Sequence, residues 1–269
     1  MPPARLALYV STAAVIAMAG FAVLVAPPPL VVSAVALAGY VGLLFGGVFV
    51  LRWRVFVDAV LRGPKGARGV VLTFDDGPHP EWTPRILRLL AEQRATATFF
   101  VVGRKAEKYP EIVQAIVRAG HGLGIHSHEH DRFFGFWRER QVVFDLERAM
   151  VTLEKITGRR PILFRPPIGI TNPIIARAAD HLGLRVVGWT IRGLDGVAWA
   201  RPQAVAARVR RDLSDGAIVL LHDAPEHGDR QPASLGALPA IFDSIASAGL
   251  DIVALSDWLH PGQPLGKTT

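Results

Sequence analysis

Two stretches near the start of the chain, residues 6–26 and 30–51, contain no charged residue, whereas the rest alternates short apolar runs with amphipathic ones. At 1.5 Å per residue each stretch is long enough to cross a bilayer as a helix. A signal peptide followed by a buried helix is the other reading. A cleaved signal is followed by a hydrophilic start, and here a second apolar run follows almost at once, which favours a helical hairpin. Ala26, Pro27, Pro28, Pro29 and Leu30 form its turn, since proline ends one helix and can open the next. Ala34, Ala38, Gly42 and Gly46 recur every four residues along the second span. Such a stripe lets another helix approach closely, and packing against the first span is the expected use. A homo-oligomer is the alternative, with nothing further in the chain to support it.

Gly63, Pro64, Lys65, Gly66, Ala67, Arg68 and Gly69 read as a linker. The pattern then predicts strands at 70–74, 98–102, 122–127, 163–165, 185–189, 217–221 and 251–254. Helices are expected at 83–93, 110–119, 138–157, 173–182, 202–213 and 235–248. Repeated alternation of strand and helix argues for an α/β fold with a parallel sheet, either closed into a barrel or left open. The chain thus divides into an anchor (1–62), a linker (63–69), a catalytic domain (70–260) and a tail (261–269) expected to fray.

Composition sharpens this division. Half of the 269 residues are hydrophobic and the mean hydropathy is +0.29, an excess that sits in the first fifty residues. Up to position 68, six basic residues face Asp58 alone, which accounts for +5 of the formal net charge of +7. The basicity therefore flanks the hairpin and does not form a nucleic-acid groove. Cationic flanks around an uncharged turn place both ends, and the catalytic domain, in the cytoplasm by the positive-inside rule. Trp53, close to Arg52 and Arg54, suits the headgroup boundary. There is no cysteine, so disulfides and thiolate metal ligands are excluded.

Chemistry collects where the strands are expected to end. Asp75 and Asp76 close the run of Val70, Val71, Leu72, Thr73 and Phe74, and His126 and His130 lie some fifty residues on. One carboxylate and two imidazoles can hold a divalent ion, and the spare carboxylate can act as a base toward a water the metal activates. Arg165, Asp195 and His222 also fall at or just after strand ends. In a parallel barrel those ends share one face. Each motif alone has a plainer reading: Asp-Asp-Gly-Pro as a turn, a single histidine or His222 as packed core, Arg165 as surface. If 126–130 is helical, His126 and His130 share a face and His128 points away to solvent or a supporting role. His79, His121 and His227 have no evident partner.

In these motifs the chain resembles the NodB-like polysaccharide deacetylases, carbohydrate esterase family four, over roughly residues 69–259. Five motifs occur in order, which is far more specific than any one of them. The resemblance implies a distorted (β/α) barrel of about seven parallel strands. It implies Asp75 as general base and Asp76, His126 and His130 as ligands of a divalent metal, most often zinc. Arg165 would hold Asp75 ionised and oriented, and His222, supported by Asp195, would be the general acid. In the run Arg165, Pro166, Pro167, Ile168, Gly169, the segment at Pro167 and Ile168 would form the substrate and oxyanion site, with the Ile168 backbone N–H as donor. The chain departs from the family pattern at three places: Ile168 replaces the usual tyrosine, Arg192 stands where an aspartate is frequent, and Gly196 replaces an aromatic. A reduced sugar-stacking surface points away from long chitin-like polymers.

The expected activity is hydrolysis of N-acyl groups on amino sugars of a polysaccharide or lipid-linked glycan. Arg132, Phe133, Phe134, Gly135, Phe136 and Trp137 follow the histidine motif directly. These rings either cover the barrel or form an apolar rim against the bilayer, holding the lipid of a glycolipid substrate. With cytoplasmic topology, deformylation or deacetylation of a polyprenyl-linked amino sugar is the alternative activity. An extracellular domain acting on peptidoglycan or exopolysaccharide competes with it. A non-catalytic carbohydrate-binding scaffold is the reading from another class, although binding alone needs neither base nor acid. Phosphoryl transfer lacks its glycine-rich loop.

Overall fold

The computed structural model describes residues 1–226 and 228–259; the expected tail (261–269) and His227 lie outside the described residues. The two apolar stretches form helices α1 (Pro3–Leu24) and α2 (Leu30–Phe49), packed side by side and joined by the proline turn. Both are long and apolar enough to cross a membrane, at about 33 and 30 Å. Where they meet, Thr12 Oγ1 donates to the Tyr40 hydroxyl at 3.2 Å. The small-residue stripe does not serve this contact. Ala34, Ala38 and Gly42 are exposed, a Cβ at Gly42 would touch nothing, and Gly46 instead receives the ring of Trp53. Ser33, Ala36 and Tyr40 are the half-buried positions along this part of α2 and mark its face toward α1, so the expected use of the stripe is corrected.

The base of the hairpin is tied to the domain at both ends. Arg5 of α1 donates to the carbonyls of Arg54 and Val55 and pairs with Asp58 at 3.0 Å. At the end of α2, the carbonyls of Gly47 and Val48 accept from the hydroxyl and amide of Thr171. Residues 55–62, grouped with the anchor in the sequence, bury Val55, Val57 and Ala59, and Val60 bridges to Val187. Residues 63–69, read as a linker, are hydrogen-bonded at both ends to the turn at Ser214–Gly216 and are not a free tether.

Seven parallel strands follow: β1 (Val70–Asp75), β2 (Thr98–Val101), β3 (Gly122–Ile125), β4 (Leu163–Phe164), β5 (Arg185–Val186), β6 (Ile191–Arg192) and β7 (Ala217–His222). Their order across the sheet is β5-β4-β3-β2-β1-β7-β6. The connecting helices are α3 (Trp82–Glu92), α4 (Gly103–Lys108), α5 (Pro110–Arg118), α6 (Glu139–Thr157), α7 (Pro173–His181) and α8 (Pro202–Asp212), with α9 (Ala233–Ser247) after β7. Proline opens α5, α7 and α8, where its missing N–H leaves no helical bond unmade. Asn172 caps α7 by accepting from the Ile175 amide at 2.8 Å.

β5 and β6 are the two ends of one extended run. Residues 185–187 pair with β4, the chain crosses the gap through Gly188 and Trp189, and from Thr190 it pairs with β7. From Val187 to Thr190 the chain can span at most about 11 Å, so the two edges of the sheet are held close and the sheet curls into a half-barrel. The distorted barrel expected from the resemblance is therefore what forms. Two strand assignments differ from the expectation. The strand the pattern does not predict is β6, Ile191–Arg192, too short to stand out, and the stretch 251–254 contributes only a bridge from Ile252 to Val70. β2 joins β1 only from Thr73 onward, which leaves the start of β1 open to that bridge. The short α4 also escapes the sequence pattern.

Alternation along each strand sorts the two cores. On β1, Val70, Leu72 and Phe74 pack beneath the helices, whereas Val71, Thr73 and Asp75 face the concave interior. Ile218, Leu220 and His222 share their parity on β7, and the register sets Asp75 beside His222. The apolar floor of Val71, Phe100, Leu163, Val187 and Ile218 thus ends, at the C-terminal edge, in ionisable groups.

Candidate active site

Asp75, Asp76, His126, His130, Ile168 and His222 line one cavity of about 180 Å³ at the C-terminal edge of the sheet. Arg165 and Asp195 are buried behind its wall, and Pro167 is buried beneath the loop without lining it. All the sequence-derived site residues therefore meet at one place.

Asp75 ends β1 pointing inward, and the chain turns sharply at Asp76, whose φ of 75° is left-handed. That turn lets neighbouring carboxylates enter the same cavity, which a continuing strand would forbid. Arg165 is wholly buried and each of its three side-chain nitrogens donates. Its Nε donates to the Val187 carbonyl, one terminal nitrogen to Gly188, and the other to Thr73 Oγ1 and to Asp75 Oδ1 at 2.7 Å. Phe100 lies under the guanidinium, 4.2 Å from the ring centroid. The carbonyls of the crossing segment thus aim Arg165 at Asp75.

His126 continues from β3. Its Nδ1 lies 2.7 Å from the Arg165 carbonyl, so Nδ1 carries the proton and Nε2 presents its lone pair to the cavity. Burial pulls its pKa down to about 4, which keeps the ring neutral. Segment 126–130 is not helical, so the condition attached to a shared helical face is not met: Ser127 and His130 adopt left-handed backbone with φ of 62° and 53°. A tight loop therefore brings the two rings together, their centroids 4.9 Å apart. Asp145 on α6 anchors this loop by accepting from the amides of His128 and Glu129 at 2.7 and 2.9 Å. His128 turns inward and is fully buried against Gly103, not solvent-facing.

The ligand atoms of Asp76, His126 and His130 all lie within 4.8 Å of one another. Asp76 Oδ1 is 3.5 Å from His126 Nε2 and 3.2 Å from His130 Nε2, yet it is buried without a hydrogen-bond partner. Converging lone pairs in a buried site are unfavourable unless a cation sits among them. The residues present therefore fit a divalent metal, with one oxygen and two nitrogen donors. Burial opposes charge on Asp76, but the approach of His130, His222 and His126 outweighs it and holds the carboxyl well below the usual range.

On β7, beside Asp75, His222 Nδ1 is 3.0 Å from Asp195 Oδ1, while the His222 amide donates to Asp195 Oδ2 at 2.7 Å. Burial disfavours the imidazolium, yet Asp195, with Asp76 and Asp75 beyond, pushes the His222 pKa up to about 10. Nε2 thus faces the cavity carrying a proton. Ile168 stands at the mouth, half exposed, with φ of 60°. A β-branched residue in that region costs on the order of 1–3 kcal/mol and marks a backbone held by its surroundings. Gly169 beside it admits the ring of Trp189 where a Cβ would collide. Arg192 and Gly196 also line the cavity, so the departures from the family pattern fall on its wall.

Sequence reasoning missed the residues that support this set. Asp145 was legible as an acid on the otherwise apolar face of α6, formed by Val142, Leu146, Ala149 and Leu153. Asp223 accepts from the Gly77 amide and Thr83, and burial pushes its pKa up to about 7. Lys105 donates to the carbonyl of Asp76 at 2.7 Å. Together these groups shape the turn after β1. His79 accepts from the amides of Glu81 and Trp82 and so serves the start of α3.

A family model described as polysaccharide deacetylase matches residues 62–187. A peptidoglycan-N-acetylglucosamine deacetylase of Bacillus cereus is 31% identical over 199 residues, covering 73% of this chain and 91% of that protein. A chitooligosaccharide deacetylase of Sinorhizobium fredii is 36% identical over 173 residues, covering 62% of this chain and 78% of that protein. Among solved structures, the Bc1960 peptidoglycan N-acetylglucosamine deacetylase in complex with 4-naphthalen-1-yl-N-oxidanyl-benzamide is 30% identical. It superposes with a TM-score of 0.68 over 74% of this chain and 91% of its own. Motifs, sheet and relatives agree: the chain belongs to the polysaccharide deacetylase family, the NodB-like carbohydrate esterases of family four.

Proposed function

We propose that this protein is a metal-dependent amide hydrolase that removes N-acyl, chiefly N-acetyl, groups from amino sugars of a glycan, anchored in a membrane by α1 and α2. One observation carries the reading. A carboxylate gripped by a buried arginine and a protonated imidazole on the neighbouring strand line one cavity that also holds a three-donor metal cluster. A scaffold that only binds glycan needs none of these.

Asp76, His126 and His130 would hold the metal, with zinc the best match to one oxygen and two nitrogen donors. Bound there, such a cation polarises the amide carbonyl and lowers the pKa of water. Asp75, oriented by Arg165, accepts the proton of the attacking water. The Ile168 amide, carried by the strained Pro167–Gly169 turn at the cavity, would serve as donor to the oxyanion. His222, kept charged by Asp195, protonates the departing sugar nitrogen, so the amine leaves neutral. The products are a free amino sugar and a small carboxylate.

The relatives named above are deacetylases of peptidoglycan and of chitooligosaccharides, which supports an N-acetylglucosamine-containing substrate. A second reading, a lipid-linked amino sugar, is favoured by the hairpin, whose base is bonded to the loop carrying Ile168. Arg192 on the cavity wall suits an anionic substituent better than a neutral polymer. The cationic flanks support a cytoplasmic domain. The full chain should release acetate or formate from N-acylated oligosaccharides or lipid-linked amino sugars, and a chelator should stop it. Absence of release from both classes by metal-loaded protein would refute the proposal.

A further inference from the structure

The aromatic loop between the histidine motif and α6 has two faces. Phe134 is buried against Phe164 and Trp137, so one ring covers the barrel. Phe133 and Phe136 do the opposite, at 69% and 75% exposed, and their ring centroids lie 6.5 Å apart. Adjacent aromatic rings held out in water by a folded loop lose hydration free energy for no internal contact, and such patches mark interaction surfaces.

The position of the loop identifies what covers it. Asn172 Nδ2 donates to the Gly135 carbonyl at 2.5 Å, and Ile170 packs where a Gly135 Cβ would be. The next residue back, Thr171, donates to the carbonyls of Gly47 and Val48 in the last turn of α2. The exposed rings are therefore joined, through two residues, to the end of an apolar helix long enough to span a bilayer. That end bears its own aromatic group: Phe45 and Phe49 at 4.4 Å, and Trp53, 40% exposed, whose ring folds back onto Gly46. Aromatic residues collect at the membrane–water boundary. Arg52, just after α2, and Arg138 and Arg140, just after the aromatic loop, are exposed and suit anionic headgroups. On its other side the loop meets the cavity, because Arg132 pairs at 3.0 Å with Glu226, which lines it.

We propose that Phe133 and Phe136 insert into the surface of the bilayer that holds α1 and α2, so that the catalytic cavity opens at the lipid headgroups. This rests on the anchor reading above but not on the deacetylase reading. A glycan held close to the membrane then reaches Asp75 and His222 without the domain leaving the surface.

The chain has no cysteine, so single spin labels can be placed at will. The full protein is reconstituted in vesicles of phosphatidylcholine with phosphatidylglycerol, carrying Phe133→Cys, Phe136→Cys, Val41→Cys or Gln93→Cys. Val41 lies inside α2, and Gln93 ends α3 at the opposite, N-terminal edge of the sheet. Collision with oxygen against a water-soluble nickel chelate should place 41 deep in hydrocarbon, 93 in water, and 133 and 136 about 5–10 Å into the interface. Labels at 133 and 136 as exposed to nickel as 93, with 41 in lipid, overturn the proposal and leave the anchor standing. Water at 41 overturns both. Acetate release by the same preparations reports on the deacetylase reading independently.

Discussion

Replacing Asp195 by asparagine removes one negative charge from the His222 ring and little else. The asparagine oxygen can still accept from the His222 amide, so the loop keeps its hydrogen bond. At 3.0 Å and an effective dielectric of 20, the lost attraction is worth about 5 kcal/mol, or nearly four pKa units. A cation at Asp76 offsets the help that Asp75 and Asp76 give His222, which leaves Asp195 as its main support. With Asp195 in place the imidazole, at about 10, is almost fully protonated at pH 8. Without it, burial brings the pKa to about 6.5 or lower, and at most about 3% remains protonated at pH 8. The prediction is a fall in kcat/KM of about thirtyfold or more at pH 8, shrinking by about tenfold or more at pH 6. The alkaline limb of the pH profile moves acidward by two or more units. The assay is acetate release by metal-loaded protein between pH 5.5 and 10, with metal content checked at each pH. An equal deficit at pH 6 and pH 8 would refute the argument, because Asp195 would then act through geometry alone. The sign for stability follows the same shift. A histidine raised in the folded state contributes stability in full below about pH 6.5 and loses it as the pH climbs through about 10.

The remaining predictions separate roles within the site. Asp75→Asn should lower turnover by about 10²–10⁴ with bound metal unchanged, whereas Asp76→Asn should lose the metal; elemental analysis and acetate release distinguish them. Arg165→Met leaves Asp75 buried and unpaired, at a cost of about 3–5 kcal/mol or a drop of about 6–20 °C in Tm by calorimetry. Adding Asp75→Asn to that variant should recover part of the loss, and no recovery would mean the arginine acts mainly through Val187 and Gly188. Asp145→Ala strips the acceptor from the amides of His128 and Glu129, and metal affinity should weaken about ten- to hundredfold by titration calorimetry. An unchanged affinity would show that the loop holds its shape without the helix.

What the sequence determined by itself was everything that neighbouring residues encode. The hairpin follows from two uncharged runs, the strand ends from short apolar runs, and the ligands from their place at those ends. Because β1 and β7 are contiguous apolar runs ending in Asp75 and His222, the two groups were bound to meet once the strands paired in parallel. Tertiary structure alone decided what depends on closure of the sheet and on turns. The crossing segment supplies the carbonyls that aim Arg165, and it creates a strand at Ile191–Arg192 too short to carry a pattern. Left-handed backbone at Ser127 and His130, braced by Asp145 from α6, brings the histidines together in a tight loop that the spacing of the two residues did not reveal. Ala34, Ala38 and Gly42 of the small-residue stripe face outward, and docking of α2 on Thr171 sets the aromatic loop beside the helix end. The physical reason is common to all three. Strand and helix follow from the order of side chains along the chain, whereas a buried polar group takes its partner from whichever segment the closed fold brings within about 3 Å.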